Sequence, residues 1–174
     1  MTEVLRFFVN RMGTPIGKML IVTDSDRNLR AVDWTDYDAR MRRLLSRQYA
    51  PVGFRLEPTH DLNCATDAIA RYFAGELDAI DALSVKTGGT HFQREVWRAL
   101  RAIPCGTTVS YAQLAGRIER PTAVRAVGLA NGSNPVGLVI PCHRVIGSDG
   151  SLTGYGAGIE RKRWLLEHEQ RARR

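Results

Sequence analysis

The sequence has few of the residues that build disulfide frameworks or metal sites. It contains three cysteines, Cys64, Cys105 and Cys142, together with four dispersed histidines, and it has no C-x-x-C pair. Three scattered cysteines are too few for the framework of a small secreted domain, and no zinc ligand set is recognisable. We therefore expect no bound metal. In a reducing compartment each cysteine is a thiol, and a single one can be catalytic.

Long hydrophobic runs are also missing. No apolar stretch approaches the ~20 residues that a membrane-spanning helix needs. The first residues, MTEVLRFFVNRMG, include an acid and lack the apolar core of a secretory signal. We expect a cytoplasmic protein that does not bind a membrane. With 44% apolar residues among 174, the chain can bury a core in one large or two small domains.

Acidic residues are scarce in the second half of the chain. Residues 1–89 hold 12 basic and 12 acidic residues, whereas residues 90–174 hold 13 basic and 6 acidic ones. The whole net charge of +7 therefore lies in the second half. This asymmetry indicates a surface that faces a polyanion, although a basic face exposed only to solvent would have the same composition.

The first half alternates between strand and helix patterns. Residues 4–10 and 18–34 have the period of two that is typical of strands, with a turn at Asp24-Ser25-Asp26. Helical spacing follows over 37–49 and again over 61–74. One face of the second helix would carry Leu62, Ala65, Ile69, Tyr72 and Phe73. We expect residues 1–85 to form an α/β support domain, followed by a linker within Ser84–Gly89.

Two capping boxes mark helices in the second domain, which we expect to span residues 86–174. Thr90-x-x-Gln93 opens a helix that runs to about Ala102, and Ser110-x-x-Gln113 opens a short helix over 111–118. Pro121 suits the first turn of a third helix, which ends near Asn131-Gly132. Two short helices joined by a tight turn resemble a helix-turn-helix, so this domain is predicted to be mainly α.

The third helix is unusually thin. Its small residues are Ala123, Ala126, Gly128 and Ala130, and Arg125 is its lone long side chain. A glycine inside a helix costs about 1 kcal/mol relative to alanine, so the close approach of another body should compensate. That body is either a second helix or the minor groove of DNA, in which Arg125 could enter the base stack.

A cysteine followed by a histidine lies between two apolar runs. Apolar residues flank Cys142-His143-Arg144, so both Cys142 and His143 should be partly buried. A lone cysteine is usually a small buried hydrophobic residue, but cationic or basic neighbours lower a thiol pKa from about 8.5 and favour the attacking thiolate. In an extended chain the two side chains would point to opposite faces, so a bridging water should connect them.

This segment resembles the active-site motif of the O6-alkylguanine-DNA alkyltransferases, also called methylated-DNA–[protein]-cysteine S-methyltransferases. The motif is Pro141-Cys-His-Arg-Val145, and the resemblance covers residues 90–174 in order, through 125–128, 131–135, 154–155 and 164–169. The first half is similar in length and layout. The resemblance implies a stand-alone bacterial type with a ribonuclease H-like α/β N-terminal domain and a winged helix-turn-helix-like motif in the C-terminal domain.

The resemblance also implies a role for each matching residue. Cys142 would accept the alkyl group, His143 would be its base through water, and Glu169 would orient His143. Asn134 would brace the active-site turn, and Tyr111 would donate a proton to O6. The guanine pocket would be lined by Tyr155, the Val145 main chain and Gly156. The DNA contacts would be Arg125, Ala123, Ala126, Gly128, Asn131 and Tyr111.

The implied reaction is direct-reversal repair with one turnover per molecule. It needs no cofactor, and its partner is double-stranded DNA that contains O6-alkylguanine, bound by a monomer. The sequence leaves open whether larger alkyl groups or O4-alkylthymine are accepted and whether copies cluster on DNA. Three rivals fit parts of the sequence: a cysteine hydrolase that uses Cys142, His143 and Glu169, a non-catalytic module that binds alkylated bases, and a transcription regulator.

Overall fold

A computed structural model describes residues 3–174 of the chain. They form two compact units, of which the first ends at Gly89 and the second begins at Thr90. The division falls there because the predicted linker is held by the first unit. The Lys86 amide donates to the Leu29 carbonyl at 3.0 Å, and the Gly88 amide donates to the Tyr49 hydroxyl at 3.1 Å. No helix in the described range is long and apolar enough to cross a membrane.

The first unit is built on a four-stranded sheet with the order β3-β2-β1-β4. Its strands are β1 (Leu5–Thr14), β2 (Gly17–Thr23), β3 (Leu29–Trp34) and β4 (Phe54–Pro58). The first three pair antiparallel, as a hairpin turn at Asp24 predicts, and β4 adds in parallel to β1. The sequence did not predict β4, because a short segment between Gly53 and Pro58 reads as a loop until β1 supplies its hydrogen bonds.

Two helices complete this unit, α1 (Asp38–Tyr49) and α2 (Cys64–Phe73). The core cluster joins the sheet to α1 and contains Phe7, Leu20, Val22, Ala31, Met41, Leu45 and Tyr49. The predicted start of α2 at residue 61 is wrong, since the Asn63 side chain caps the helix by accepting from the Ala65 and Thr66 amides. Leu62 therefore lies outside the helix and is 88% exposed instead of buried.

The second unit is mainly helical. It contains α3 (His91–Arg101), β5 (Val109–Ser110), α4 (Tyr111–Arg117), α5 (Val124–Gly132), β6 (Val145–Ile146) and α6 (Ile159–Ala172). Both predicted capping boxes are confirmed, and β5 pairs in parallel with β6. Pro121 precedes α5 instead of opening it. A turn closed by the Ala123 amide on the Arg120 carbonyl, at 2.9 Å, separates this proline from the helix.

Candidate active site

Cys142 lies at the start of a single 3-10 turn, Cys142–Arg144, which follows a buried apolar run. It is 5% exposed, so it is more completely buried than the partial burial that the sequence predicted. The expected extended geometry is wrong, because the Arg144 amide donates to the Pro141 carbonyl at 3.0 Å and closes the turn. Within residues 3–174 no disulfide joins the cysteines, and no cluster of three or more His, Cys, Asp or Glu side chains could hold a metal.

Glu169, on α6, is the centre of a buried network behind the cysteine. His143 Nε2 lies 2.8 Å from Glu169 Oε1, across 26 residues of sequence. Arg144 Nη2 donates to the same oxygen at 2.9 Å, and the Gly106 amide donates to Oε2 at 3.0 Å. An ionised carboxylate only accepts hydrogen bonds, so this contact assigns the ring hydrogen of His143 to Nε2.

The protonation states of this pair follow from burial and from Arg144. Burial lowers the pKa of His143 below its ordinary value, against the opposing effect of Glu169. Burial would raise the pKa of Glu169, but the contacts with His143 and Arg144 outweigh it and hold that pKa well below its usual range. We therefore assign a neutral His143 and an ionised Glu169. His143 Nδ1 has no hydrogen-bond partner within residues 3–174, so its lone pair can accept a proton.

Arg144 has a different position from the one that sequence reasoning gave it. Its guanidinium is directed at Glu169 and at the Ile103 carbonyl, to which Nη1 donates at 2.6 Å, and Nη2 also lies 2.6 Å from the Cys105 sulfur. Its charge is thus shared with a buried carboxylate. Arg144 secures the Glu169 end of the network and is not primarily a cation for the Cys142 thiol.

Lys162 is a candidate site residue that sequence reasoning missed. It is fully buried on α6, and its ammonium donates to the carbonyls of Val145 at 2.5 Å and Thr153 at 3.0 Å. Burial lowers its pKa to about 8, although the charge of Cys142 acts in the opposite direction. Helical spacing could have revealed it. Lys162 lies two helical turns before Glu169, so the two side chains lie on the same face of α6, and a helix that buries Glu169 also buries Lys162.

Tyr111 contacts the chain after the Cys-His motif, and Asn134 contacts the chain before it. The Tyr111 hydroxyl donates to the Thr153 carbonyl at 3.1 Å, and burial raises its pKa, so it keeps its proton. Asn134 Nδ2 donates to the Ile140 carbonyl at 2.8 Å, two residues before Cys142. Its Oδ1 accepts from the Val136 amide at 3.0 Å. The side chain therefore bridges the segment that leads into the 3-10 turn.

The residues assigned to the guanine pocket lie in two segments. Val145 is buried directly after the 3-10 turn, and its carbonyl accepts from Lys162. Tyr155 and Gly156 are half-buried in the loop after Thr153. Because Thr153 accepts from both Tyr111 and Lys162, this loop is attached to two of the side chains that surround the motif.

Helix α5 has one exposed and one buried face. Arg125 and Ala126 are exposed and Ala123 is partly exposed, as a DNA-facing surface requires. Asn131 is only 3% exposed, so it lies on the buried face of α5, and its assignment as a DNA contact stays a prediction. A Cβ on Gly128 would lie 3.8 Å from the Tyr111 ring, an ordinary contact, so the space at this glycine faces Tyr111.

The fold and the site together define a two-unit protein whose helical unit carries a buried cysteine next to a histidine–glutamate pair. Residues 10–87 match the family model for the ribonuclease-like domain of 6-O-methylguanine DNA methyltransferase, and residues 91–171 match the model for its DNA-binding domain. The chain belongs to the 6-O-methylguanine DNA methyltransferase family. The resemblance seen in the sequence and the fold class it implied are confirmed.

Individual relatives agree over most of the chain. The methylated-DNA–protein-cysteine methyltransferase of Salmonella typhimurium is 50% identical over 166 residues, which cover 95% of this chain and 97% of that protein. The Mycobacterium tuberculosis protein of the same name is 50% identical over 129 residues, which cover 74% of this chain and 78% of that protein. The crystal structure of Mycobacterium tuberculosis OGT in complex with DNA matches with a TM-score of 0.78 at 39% identity. The match covers 95% of this chain and 94% of that chain.

Proposed function

We propose that this protein repairs DNA by direct reversal, in which Cys142 takes the alkyl group from O6-alkylguanine and keeps it. One observation carries the proposal. A buried cysteine adjoins a neutral histidine that is fixed through Nε2 by Glu169 and that keeps the lone pair of Nδ1 available. Relatives that align over nearly the whole chain are named methylated-DNA–protein-cysteine methyltransferases.

The reaction balances without a cofactor. His143 Nδ1 accepts the Cys142 thiol proton through a bridging water, and the thiolate attacks the alkyl carbon. A sulfur–carbon bond forms as the carbon–O6 bond breaks, and the electron pair stays on guanine O6. Tyr111, protonated and close to the motif, supplies the proton to the departing guanine. The product is a thioether, which a histidine–glutamate pair does not hydrolyse, so each molecule acts once.

The same reaction requires the damaged base to leave the duplex. Extrusion costs a few kcal/mol, less for a weakly paired lesion. In our proposal α5 approaches from the minor groove, Arg125 fills the vacated stack, and Ala123 and Ala126 allow close approach. Tyr155, Gly156 and the Val145 main chain receive the base. The protein acts as a monomer in the cytoplasm, where its DNA substrate lies.

The stoichiometry of transfer tests this proposal. Duplex DNA with one O6-methylguanine is mixed in molar excess with the protein, and intact mass and peptide mapping locate the added methyl group. We expect one methyl group per protein, on Cys142, and one restored guanine in the DNA for each protein molecule. Turnover beyond one would favour the cysteine hydrolase, and tight binding with no transfer would favour the non-catalytic module. Either result would contradict the proposal.

A further inference from the structure

Leu129 projects from the exposed face of α5 and is 72% exposed. Among the described residues of the second unit, no other large aliphatic or aromatic side chain has comparable exposure. Arg125 is thus not the lone long side chain that α5 presents to its surroundings. A single exposed leucine is ordinary on a protein surface, so the significance of Leu129 depends on its position.

That position places Leu129 beside Arg125. The two residues are four apart on α5, so they lie on the same face, separated by about 6 Å along the helix axis. The opposite face is buried through Val127 and Ala130. The Arg125 side chain is exposed, and it forms no ion pair with any other described residue. The helix therefore offers its surroundings one cationic and one apolar side chain, one turn apart.

We propose that Leu129 inserts into the minor groove as an apolar wedge, one turn from the point at which Arg125 enters the stack. The inference rests on the proposed function, in which α5 meets DNA within a unit that matches a DNA-binding domain. Base pairs are roughly 3.4 Å apart along the duplex. The distance of about 6 Å between the two side chains therefore corresponds to close to two base steps.

Such a wedge has a physical purpose in this reaction. Apolar side chains that enter the minor groove partly unstack a base step and kink the duplex. A kink two steps from the lesion weakens the stacking that the flipped base must leave, so part of the extrusion cost is met by binding. The contact buries apolar surface and neutralises no phosphate, so it adds affinity that does not depend on salt.

Leu129→Ala tests the wedge, with Leu62→Ala as the matched control. Both leucines are more than two-thirds exposed, and alanine has the highest helix propensity, so α5 remains helical in the variant. Three quantities are measured: affinity for duplex DNA containing O6-methylguanine over a salt series, DNA bending by fluorescence energy transfer, and the rate of transfer from free O6-benzylguanine. Leu129→Met keeps an apolar side chain of similar length.

We expect Leu129→Ala to bind the duplex about tenfold more weakly at every salt concentration, with an unchanged salt slope and a smaller bend. Leu62→Ala and Leu129→Met should match the wild type, and free O6-benzylguanine should react equally fast with all four proteins. Wild-type affinity and bend in Leu129→Ala would overturn the wedge, as would a slower reaction with the free base. If the wild type itself transfers no alkyl group, the proposed function fails independently of Leu129.

Discussion

At the scale of single residues, the proposed mechanism depends on the two nitrogens of the His143 imidazole. Nε2 of His143 is occupied by Glu169, so Nδ1 is the atom that can accept a proton. The contacts with His143 and Arg144 keep Glu169 ionised, and an ionised Glu169 keeps the histidine hydrogen on Nε2. A buried ion pair that holds a neutral base in one tautomer is a positioning arrangement, and in the proposed reaction only Cys142 forms a bond to the alkyl group.

Cys142→Ala should abolish alkyl transfer while DNA binding remains close to the wild-type level, because the residues proposed to contact DNA lie on α5. Transfer is measured with radiolabelled methylated DNA, and binding with a gel-shift assay. Cys64→Ser and Cys105→Ser are the controls and should stay active. Serine at 105 keeps an oxygen that can accept from Arg144. Loss of transfer in a folded Cys64 or Cys105 variant would contradict the assignment of a single nucleophile.

Lys162 should make the stability of the protein depend on pH above neutrality. Its pKa is about 8 in the folded protein and 10.5 as an unperturbed lysine. Between these values the unfolded chain binds more protons than the folded one, so this lysine makes the free energy of unfolding rise with pH. The change is on the order of 3 kcal/mol across that window. Urea denaturation of wild type and Lys162→Met from pH 7 to 10.5 measures it.

Other groups titrate in both proteins over this range, so the Lys162→Met variant serves as the control and only the difference between the two proteins reports on Lys162. The difference in unfolding free energy between wild type and Lys162→Met should shift in favour of the wild type as pH rises. A difference that stays constant from pH 7 to 10.5 would show that Lys162 has an ordinary pKa despite its burial.

At the scale of elements, α5 and α6 contribute different parts of the proposed site. Helix α6 brings Glu169 and Lys162 to the motif from inside the unit, and neither side chain reaches solvent. Helix α5 is buried on one face and presents Arg125 on the other. Substitutions on α6 should therefore affect transfer from any substrate, whereas those on the exposed face of α5 should matter only when the substrate is DNA.

Arg125→Ala should slow repair of O6-methylguanine in duplex DNA far more than the reaction with free O6-benzylguanine. The free base needs no extrusion from a stack, so the absence of the arginine does not affect it. Single-turnover rates on the two substrates are compared, with Arg117→Ala on α4 as a control for the loss of one positive charge. Equal decreases on both substrates would show that Arg125 does not fill the stack.

At the scale of the whole molecule, charge should govern DNA binding. The surplus of seven basic residues lies entirely in residues 90–174. Contacts with phosphates release counterions, so affinity for duplex DNA should decrease linearly on a log–log plot against salt. Because phosphate contacts do not read bases, affinity should vary little among undamaged sequences. Fluorescence anisotropy provides both measurements, and a salt-independent affinity or one strong consensus sequence would refute this expectation.

Alkylation of Cys142 should destabilise the protein. The thiol is 5% exposed, and His143 beside it is fully buried. Added volume in such a site typically lowers the free energy of unfolding by about 1–3 kcal/mol. The alkyl group also removes the thiol that interacts with His143 through water, so the polar groups there are less well satisfied. Thermal melts are recorded for one preparation before and after complete reaction with a small alkyl donor. An unchanged or higher midpoint in the alkylated protein would disprove the prediction.

Local interactions explain what the sequence by itself determined. The capping boxes Thr90–Gln93 and Ser110–Gln113 join residues three apart, and both are present as predicted. The hairpin turn after β2 and the burial of the Cys-His motif were readable for the same reason, because each depends on residue types close together in the chain. The resemblance to the methyltransferase family was readable because it rests on several such short motifs along residues 90–174.

Tertiary structure decided the rest, because the deciding contacts join distant residues. Strand β4 exists only through its pairing with β1, and Leu62 is exposed because the Asn63 cap shifts the start of α2. The Nε2 contact of His143 with Glu169 spans 26 residues, and the sequence suggested it only through family resemblance. Asn131 is buried on α5, and Lys162 is buried against two carbonyls. A charged or polar residue on a helix is buried or exposed according to what packs on that helix, and spacing places Lys162 on the side of Glu169 only once Glu169 is known to be buried.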